Sequence, residues 1–451
     1  MTRLYCARWV VPVSSPVIAD GAVAIEGTRI AGLGTRVEMA ERYPQATAED
    51  FGRAALIPGL INVHTHLELT VMRGYLEKEE HDFLAWLKKL TIARLALSSD
   101  DILISASLGA IEAARAGITC VADASDSARE SMRALRDVGL RGIVYQESFG
   151  PDPSVASENV GKLRARIEIL RNDETPLVRA GVSPHSPYTV SASQLEMISN
   201  FALHEHLPLM MHVAESQSEH LLLSLGAGTF AANLRQRGIE WIAPKVSPIQ
   251  YLAQHGVLET KPLLAHCILV DHADLMTLKE AGAGIAHCPK SNAKLRHGIA
   301  PYAKFLAHGL KMGIGSDSVA SNNTCDLLEE ARFATLLSRA VSKDDAEGDL
   351  ATAEAALFSA TLGGARALGI GAETGSLAEG LQADLTVIGL DGVHQQPVRD
   401  PVQTLIFSSS ARDVRLTMVA GQEVYRDGSI KTVDEESIKQ PLEQLQNKMA
   451  V

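Results

Sequence analysis

Between residues 56 and 320 the chain alternates short, nearly continuous apolar runs with stretches of helical periodicity. The runs are ALIPGLINVHTH, GITCVADAS, RGIVYQES, VRAGVSPHSPY, LPLMMHVAES, PLLAHCILV, GAGIAHCPKSN and KMGIGSDS. Strands buried on both faces of a parallel sheet carry such runs, whereas segments such as ADLMTLKEAG and SATLGGARAL space their apolar positions as helices do. Eight strand–helix units predict an α/β fold, a (β/α)8 TIM-like barrel over residues 56–371, with helices across 331–371 closing it.

The two ends break this rhythm. Residues 1–55, with VVPVSSPVIADGAVAIEGTRIAGLG, and residues 372–451, with GSLAEGLQADLTVIGL and VRLTMVAGQEVYRDGSI, alternate β-prone runs with Gly and Asp turns. Both ends are expected to join in one small β-sandwich, leaving EESIKQPLEQLQNKMA as a solvated terminal helix or tail.

Composition narrows the function classes. Of 451 residues, 46% are hydrophobic and 21% charged, ordinary for a soluble globular chain. The net charge is −12 and the basic residues are scattered, so the footprint that a phosphate backbone demands is missing and nucleic acid is excluded as a partner. No apolar run approaches the roughly 20 residues that span a bilayer, and turn residues interrupt the first twenty positions where a signal peptide needs an apolar core. A cytoplasmic enzyme without membrane contact is expected. Cys6, Cys120, Cys267, Cys288 and Cys325 are dispersed, odd in number and without C-x-x-C spacing, which points to reduced thiols, most of them small buried hydrophobes.

Candidate chemistry sits at the run ends. A barrel builds its active site at the C-terminal ends of its strands, where His64, His66, His185, His212, His266 and Asp317 all fall. His64 and His66 lie two apart, so on a strand they point to one face and can share an ion. Alone the pair is weak, because histidines are common at strand ends. The fifth run adds His212 and, three residues on, Glu215; the sixth adds His266; the eighth ends in Asp317. Imidazole and carboxylate together suit a borderline divalent ion. Trp86, in HDFLAWLKKL, falls on a helix after the first strand, where it serves equally as core aromatic or as pocket wall.

PGLINVHTHLELTVMRG, SPHSPYTVS, HVAES, AHCILV, AHCPKSNAKL with GIAP, and GIGSDSVASNNTCDLLEEAR occur in this order. On these motifs nearly the whole chain resembles the amidohydrolase superfamily, and within it the aminohydrolase group of S-adenosylhomocysteine/methylthioadenosine deaminases, guanine deaminase and triazine hydrolases. The resemblance implies one divalent metal ion, zinc or alternatively ferrous iron, held by His64, His66, His212 and Asp317. It implies Glu215 as proton shuttle and His266 as the group that orients the attacking water, close enough in some members to be a ligand; Asp317 accepts a proton as well as contacting the ion. Two-metal members carry a bridging lysine or acid in the fourth run, and Leu177 to Val190 contains no Lys, Asp or Glu, so a mononuclear site follows. Trp86 and His185 are the implied substrate residues.

There is a departure. S-adenosylhomocysteine deaminases carry an acidic residue shortly after the W-L motif for the ribose hydroxyls, and KKLTIARLALSSD supplies none before Asp100. HTHLELT and YQESFG, with Glu68, Gln146 and Glu147, are more similar to the 6-amino-6-deoxyfutalosine deaminases, although Glu68 and Glu147 read equally as buried structural carboxyls. The expected activity is hydrolytic release of ammonia from an aminated N-heterocycle, a 6-aminopurine nucleoside first. Displacement of another leaving group from a triazine is the alternative, and a catalytically inactive dihydropyrimidinase-like scaffold is a third reading that the intact ligand set argues against. A small-molecule substrate and a homo-oligomer complete the expectation.

Overall fold

A computed structural model describes residues 2–342 and 351–449. Eight parallel strands follow one another in chain order: β1 (Leu60–Thr65), β2 (Ile118–Ser125), β3 (Arg141–Ser148), β4 (Val178–Pro184), β5 (Met210–Val213), β6 (Leu263–His266), β7 (Gly284–His287) and β8 (Lys311–Ile314). The first four pair as one sheet and the last four as another. Single parallel bridges join the two, Val182 to Leu209 on one side and Thr65 to Asp317 on the other, so the strands close into a ring. Helices lie outside it, and the apolar core runs between them and the strands, as the expected barrel requires. β2 and β3 are buried along their whole lengths, as strands covered on both faces are, although both carry polar residues toward their C-terminal ends.

The first run is two strands and not one. Ala54–Pro58 pairs antiparallel with Leu385–Gly389 outside the barrel, and β1 starts only at Leu60. Gly59 makes the crossing: a Cβ there would stand 2.1 Å from Thr119 Oγ1, so only glycine lets the backbone pass this closely.

The two chain ends do combine, but as one continuous nine-stranded sheet. Residues from both ends, Tyr5, Val23, Ile25 and Leu56 with Leu385, Leu416 and Met418, share one apolar core. A buried ion pair ties this sheet to the barrel, Arg141 Nε at the start of β3 lying 2.9 Å from Asp384 Oδ2. The terminal stretch is a helix, Glu436–Met449, that is only partly solvated: Leu445 is buried, and Met449 packs on the cluster around Trp86. Its last expected residue, Ala450, lies outside the described residues, as do 343–350 within the expected closing helices. The rest of that stretch is helical at Leu327–Val341 and Ala353–Phe358 and continues through a wide π turn to Ala367. All five cysteines are free and buried. Among the described residues no helix is long and apolar enough to cross a membrane.

Candidate active site

The strand ends deliver the expected side chains to one point. His64 and His66 leave β1, His212 stands in β5, His266 closes β6, and Asp317 follows β8. Donor atoms of His64, His66 and Asp317 lie within 4.8 Å of one another, as do those of His64, His212 and His266. His64 Nε2 is 3.4 Å and His66 Nε2 3.5 Å from Asp317 Oδ1, and His66 Nε2 faces His212 Nε2 at 3.2 Å. His266 therefore joins the same cluster as a fifth donor.

Local backbone sets these directions. His266 has φ 75° and Asp317 φ 57°, left-handed values that cost a non-glycine residue about 1–3 kcal/mol and persist where packing overrides them. Gly315 permits the turn before Asp317, because a Cβ there would be 2.8 Å from His64 Cβ and 2.9 Å from Cys288 Sγ. The Asp317 N–H then donates to the His64 carbonyl at 2.9 Å.

Second contacts hold the donors in place. His212 Nδ1 lies 2.9 Å from the His185 carbonyl, which leaves Nε2 for the cluster. His266 Nδ1 lies 2.8 Å from Asn292 Oδ1. Asp317 Oδ2 accepts from Ser291 Oγ at 2.6 Å and Ser321 Oγ at 3.1 Å, and Oδ1 accepts from the Ser318 N–H at 2.7 Å. Burial, reinforced by the neighbouring His64, lowers the His66 pKa to about 3, and burial together with the His185 ring takes His212 well below its usual range. Burial, the largest single influence, opposes ionisation of Asp317, but the neighbouring His64, His266 and His66 together outweigh it and hold the carboxyl well below the usual range. Neutral imidazoles beside an ionised carboxylate are the forms a cation binds. Both ring nitrogens of His64 are buried without a hydrogen-bond partner, a costly condition that a cation at Nε2 relieves. These residues fit a divalent ion.

Glu215, almost fully buried beyond β5, borders this cluster. Its Oε1 is 3.7 Å from His266 Nε2 and 3.4 Å from His297 Nδ1, and Oε2 accepts from Tyr188 Oη at 3.1 Å. Burial would raise its pKa, but the charges of His266 and His297 prevail and bring it down to about 2. His297 was not among the expected site residues. The one available signal was its position between AKL and GIAP in the fifth of the quoted motifs.

A cavity of about 400 Å³ opens over this centre, a size suited to a small heterocyclic ligand. Trp86 borders the cavity and is buried with Leu69, Met72, Leu76 and Leu295, its Nε1 unpartnered. His185 also borders the cavity; its Nδ1 lies 2.9 Å from Thr189 Oγ1 and 3.0 Å from Ser186 Oγ. Burial lowers its pKa to about 4. Glu68 is a structural carboxyl, accepting from Ser125 Oγ and the Ser127 N–H, each at 2.9 Å. Gln146 is likewise occupied, donating to the Asp126 carbonyl at 2.8 Å. Arg94, which the sequence did not single out, reaches the cavity wall and pairs with Asp126 at 2.5 Å.

The chain is similar to known proteins along most of its length. The model of the amidohydrolase family matches residues 55–424, and a bacterial imidazolonepropionase-like composite domain matches residues 21–46. A protein of Syntrophobacter fumaroxidans named 5-methylthioadenosine/S-adenosylhomocysteine deaminase is 32% identical over 422 residues, covering 93% of this chain and 91% of its own. One of the same name from Pyrococcus furiosus is 32% identical over 445 residues, 96% of each chain. Among solved structures, an adenosine deaminase from Xanthomonas campestris with bound zinc matches with a TM-score of 0.86 and 26% identity, over 99% of this chain and 98% of that one.

Proposed function

From the premise that the chain belongs to the amidohydrolase family and is a hydrolase acting on carbon–nitrogen bonds, we propose that it is a metal-dependent deaminase of a 6-aminopurine nucleoside. The observation that carries the reading is the Glu215 carboxyl, ionised and buried between the His/Asp cluster and the cavity. The curated relatives named as deaminases support the same class.

In this reading His64, His66, His212 and Asp317 hold a single divalent ion, zinc first and ferrous iron as the alternative. Such an ion supplies Lewis acidity, making water acidic enough to attack near neutral pH. Glu215 takes one proton of the attacking water and hands it to the ring nitrogen beside the amino-bearing carbon, which makes that carbon electrophilic. His266, oriented by Asn292, stabilises the charge that develops at the tetrahedral carbon. Asp317 takes the second proton and passes it to the amino group, which leaves as ammonia. Trp86 and His185 position the heterocycle.

The test is ammonia release by the metal-loaded protein from adenosine, S-adenosylhomocysteine, methylthioadenosine, aminodeoxyfutalosine, guanine and cytosine. Turnover of a 6-aminopurine nucleoside is expected. No ammonia from any of the six overturns the reading.

A further inference from the structure

Glu147, near the end of β3, borders the cavity and is only 6% exposed, yet among the described residues its side chain makes no hydrogen bond or ion pair; buried Oε1 has no partner. An unsatisfied buried carboxyl lowers stability, so its presence calls for a partner that arrives with the ligand. Three other carboxyls border the same cavity, and each is already occupied: Asp317 by the histidine cluster and its serines, Glu215 by Tyr188 and the two imidazoles, Glu68 by Ser125 and Ser127. The nearby Arg94 guanidinium is engaged by Asp126. That leaves Glu147 as the carboxyl with acceptor capacity to spare.

A second cation is the obvious rival partner, since donors of Glu147, His185 and His212 lie within 4.8 Å of one another. But His212 has nothing left to give. Its Nδ1 is committed to the His185 carbonyl, and its Nε2 faces His66 in the first cluster. One imidazole nitrogen does not serve two ions. His185, by contrast, has Nδ1 tied to Ser186 and Thr189 and makes no hydrogen bond through Nε2 among the described residues. Glu147 and His185 thus border one cavity, each with a polar atom to spare.

We propose that Glu147, with His185 beside it, is the specificity-determining residue that takes a sugar hydroxyl of the substrate, so that the enzyme selects a hydroxylated nucleoside over its deoxy analogue. The inference rests on the deaminase reading above and deepens it. A carboxyl that has given up protein partners gains its hydrogen bond only when a hydroxyl donor enters, and a substrate lacking that hydroxyl leaves it orphaned.

The experiment measures kcat and KM of the metal-loaded full chain for adenosine, 2′-deoxyadenosine and 3′-deoxyadenosine, in the wild type and in Glu147→Leu. The wild type should favour adenosine over one of the two deoxynucleosides by about 10–100-fold in kcat/KM, the size of one hydrogen bond to a charged or polar buried group. Glu147→Leu, which removes the acceptor, should lose about that factor on adenosine, mainly through KM, while its value for the discriminated deoxynucleoside stays within about threefold of wild type. Its melting temperature should equal or exceed that of the wild type, because the substitution removes a carboxyl with no partner. Equal losses on all three substrates together with a lower melting temperature would make Glu147 a structural residue and overturn the inference. So would two metal ions per wild-type chain falling to one in the variant. A wild type active on adenosine but indifferent to both hydroxyls refutes the inference alone, as does one active on another 6-aminopurine nucleoside whose turnover Glu147→Leu leaves unchanged; one that releases no ammonia from adenosine, S-adenosylhomocysteine, methylthioadenosine or aminodeoxyfutalosine refutes it together with the nucleoside deaminase reading.

Discussion

Replacing Glu215 by glutamine tests the proposed chemistry at its centre. The amide keeps the size of the carboxyl and can still accept from Tyr188 Oη, 3.1 Å away, so the cavity wall should hold its shape. What it cannot do is carry a proton. A positioned acid–base group contributes about 10²–10⁴ in rate, so kcat should fall by that factor, about 2.7–5.4 kcal/mol at 1.36 kcal/mol per decade. KM should change little, because Trp86 and His185 are untouched. Metal content should stay at one ion per chain, since Glu215 belongs to neither donor cluster around His64. The assay pairs initial rates of ammonia release with metal analysis by mass spectrometry on the same preparations. A turnover within tenfold of wild type would remove Glu215 from the proton path, and loss of the metal would reassign it as a ligand. The variant also carries a pH signature. The Glu215 pKa is lowered in the folded state, from 4.5 to about 2, so its ionised form contributes stability that is present above pH 4.5 and is lost as the pH falls through that window. Glutamine should flatten that part of the acid denaturation curve.

Chelation should abolish turnover and lower the melting temperature, and zinc should restore both; a ligand present at 1,000 times its Kd stabilises the fold by about 4 kcal/mol. His64→Ala should abolish this zinc response, read by thermal melting with and without the metal. Asp384→Asn should lower the denaturation free energy by about 3–5 kcal/mol, because it strands the buried Arg141 that joins the terminal sheet to the barrel; a urea midpoint equal to wild type would show that the pair carries nothing. Asp123 is buried, and that burial raises its pKa from 3.8 to about 7 despite hydrogen bonds from the Leu67 N–H and Thr65 Oγ1. Between about pH 4 and 7 the folded chain holds a proton that the unfolded chain has released, so wild-type stability declines as the pH rises through this window. Asp123→Asn lacks that slope and should gain stability relative to wild type from pH 5 to pH 8, as measured by chemical denaturation at both.

The division between what the chain's pattern states and what folding adds runs along the range of the interactions. Strand β1 is legible because burial on both faces writes an apolar run, and the same-face placement of His64 and His66 follows from the period of two. The positions of His212, His266 and Asp317 at later run ends make their gathering into one His/Asp cluster legible in the sequence, since a parallel barrel brings all such ends to one face. The break at Gly59 was not readable: Ala54–Pro58 and Leu60–Thr65 are equally apolar, and what separates them is contact with Leu385–Gly389 and Thr119, far along the chain. Alternation at the two ends likewise announced strands but not the single sheet in which they pair, because register partners are chosen by the tertiary fold. The same holds around the centre. His297 meets Glu215 across 82 positions, Asn292 orients His266, and Ser291 and Ser321 anchor Asp317 through contacts that no periodicity encodes. The clearest case is the pair of acids Glu68 and Glu147, which read alike in the sequence as buried carboxyls. Folding gives Glu68 a hydroxyl and backbone N–H donors and leaves Glu147 facing the cavity with none, and that difference in hydrogen bonding, set only in three dimensions, separates a structural residue from a candidate reader of the substrate.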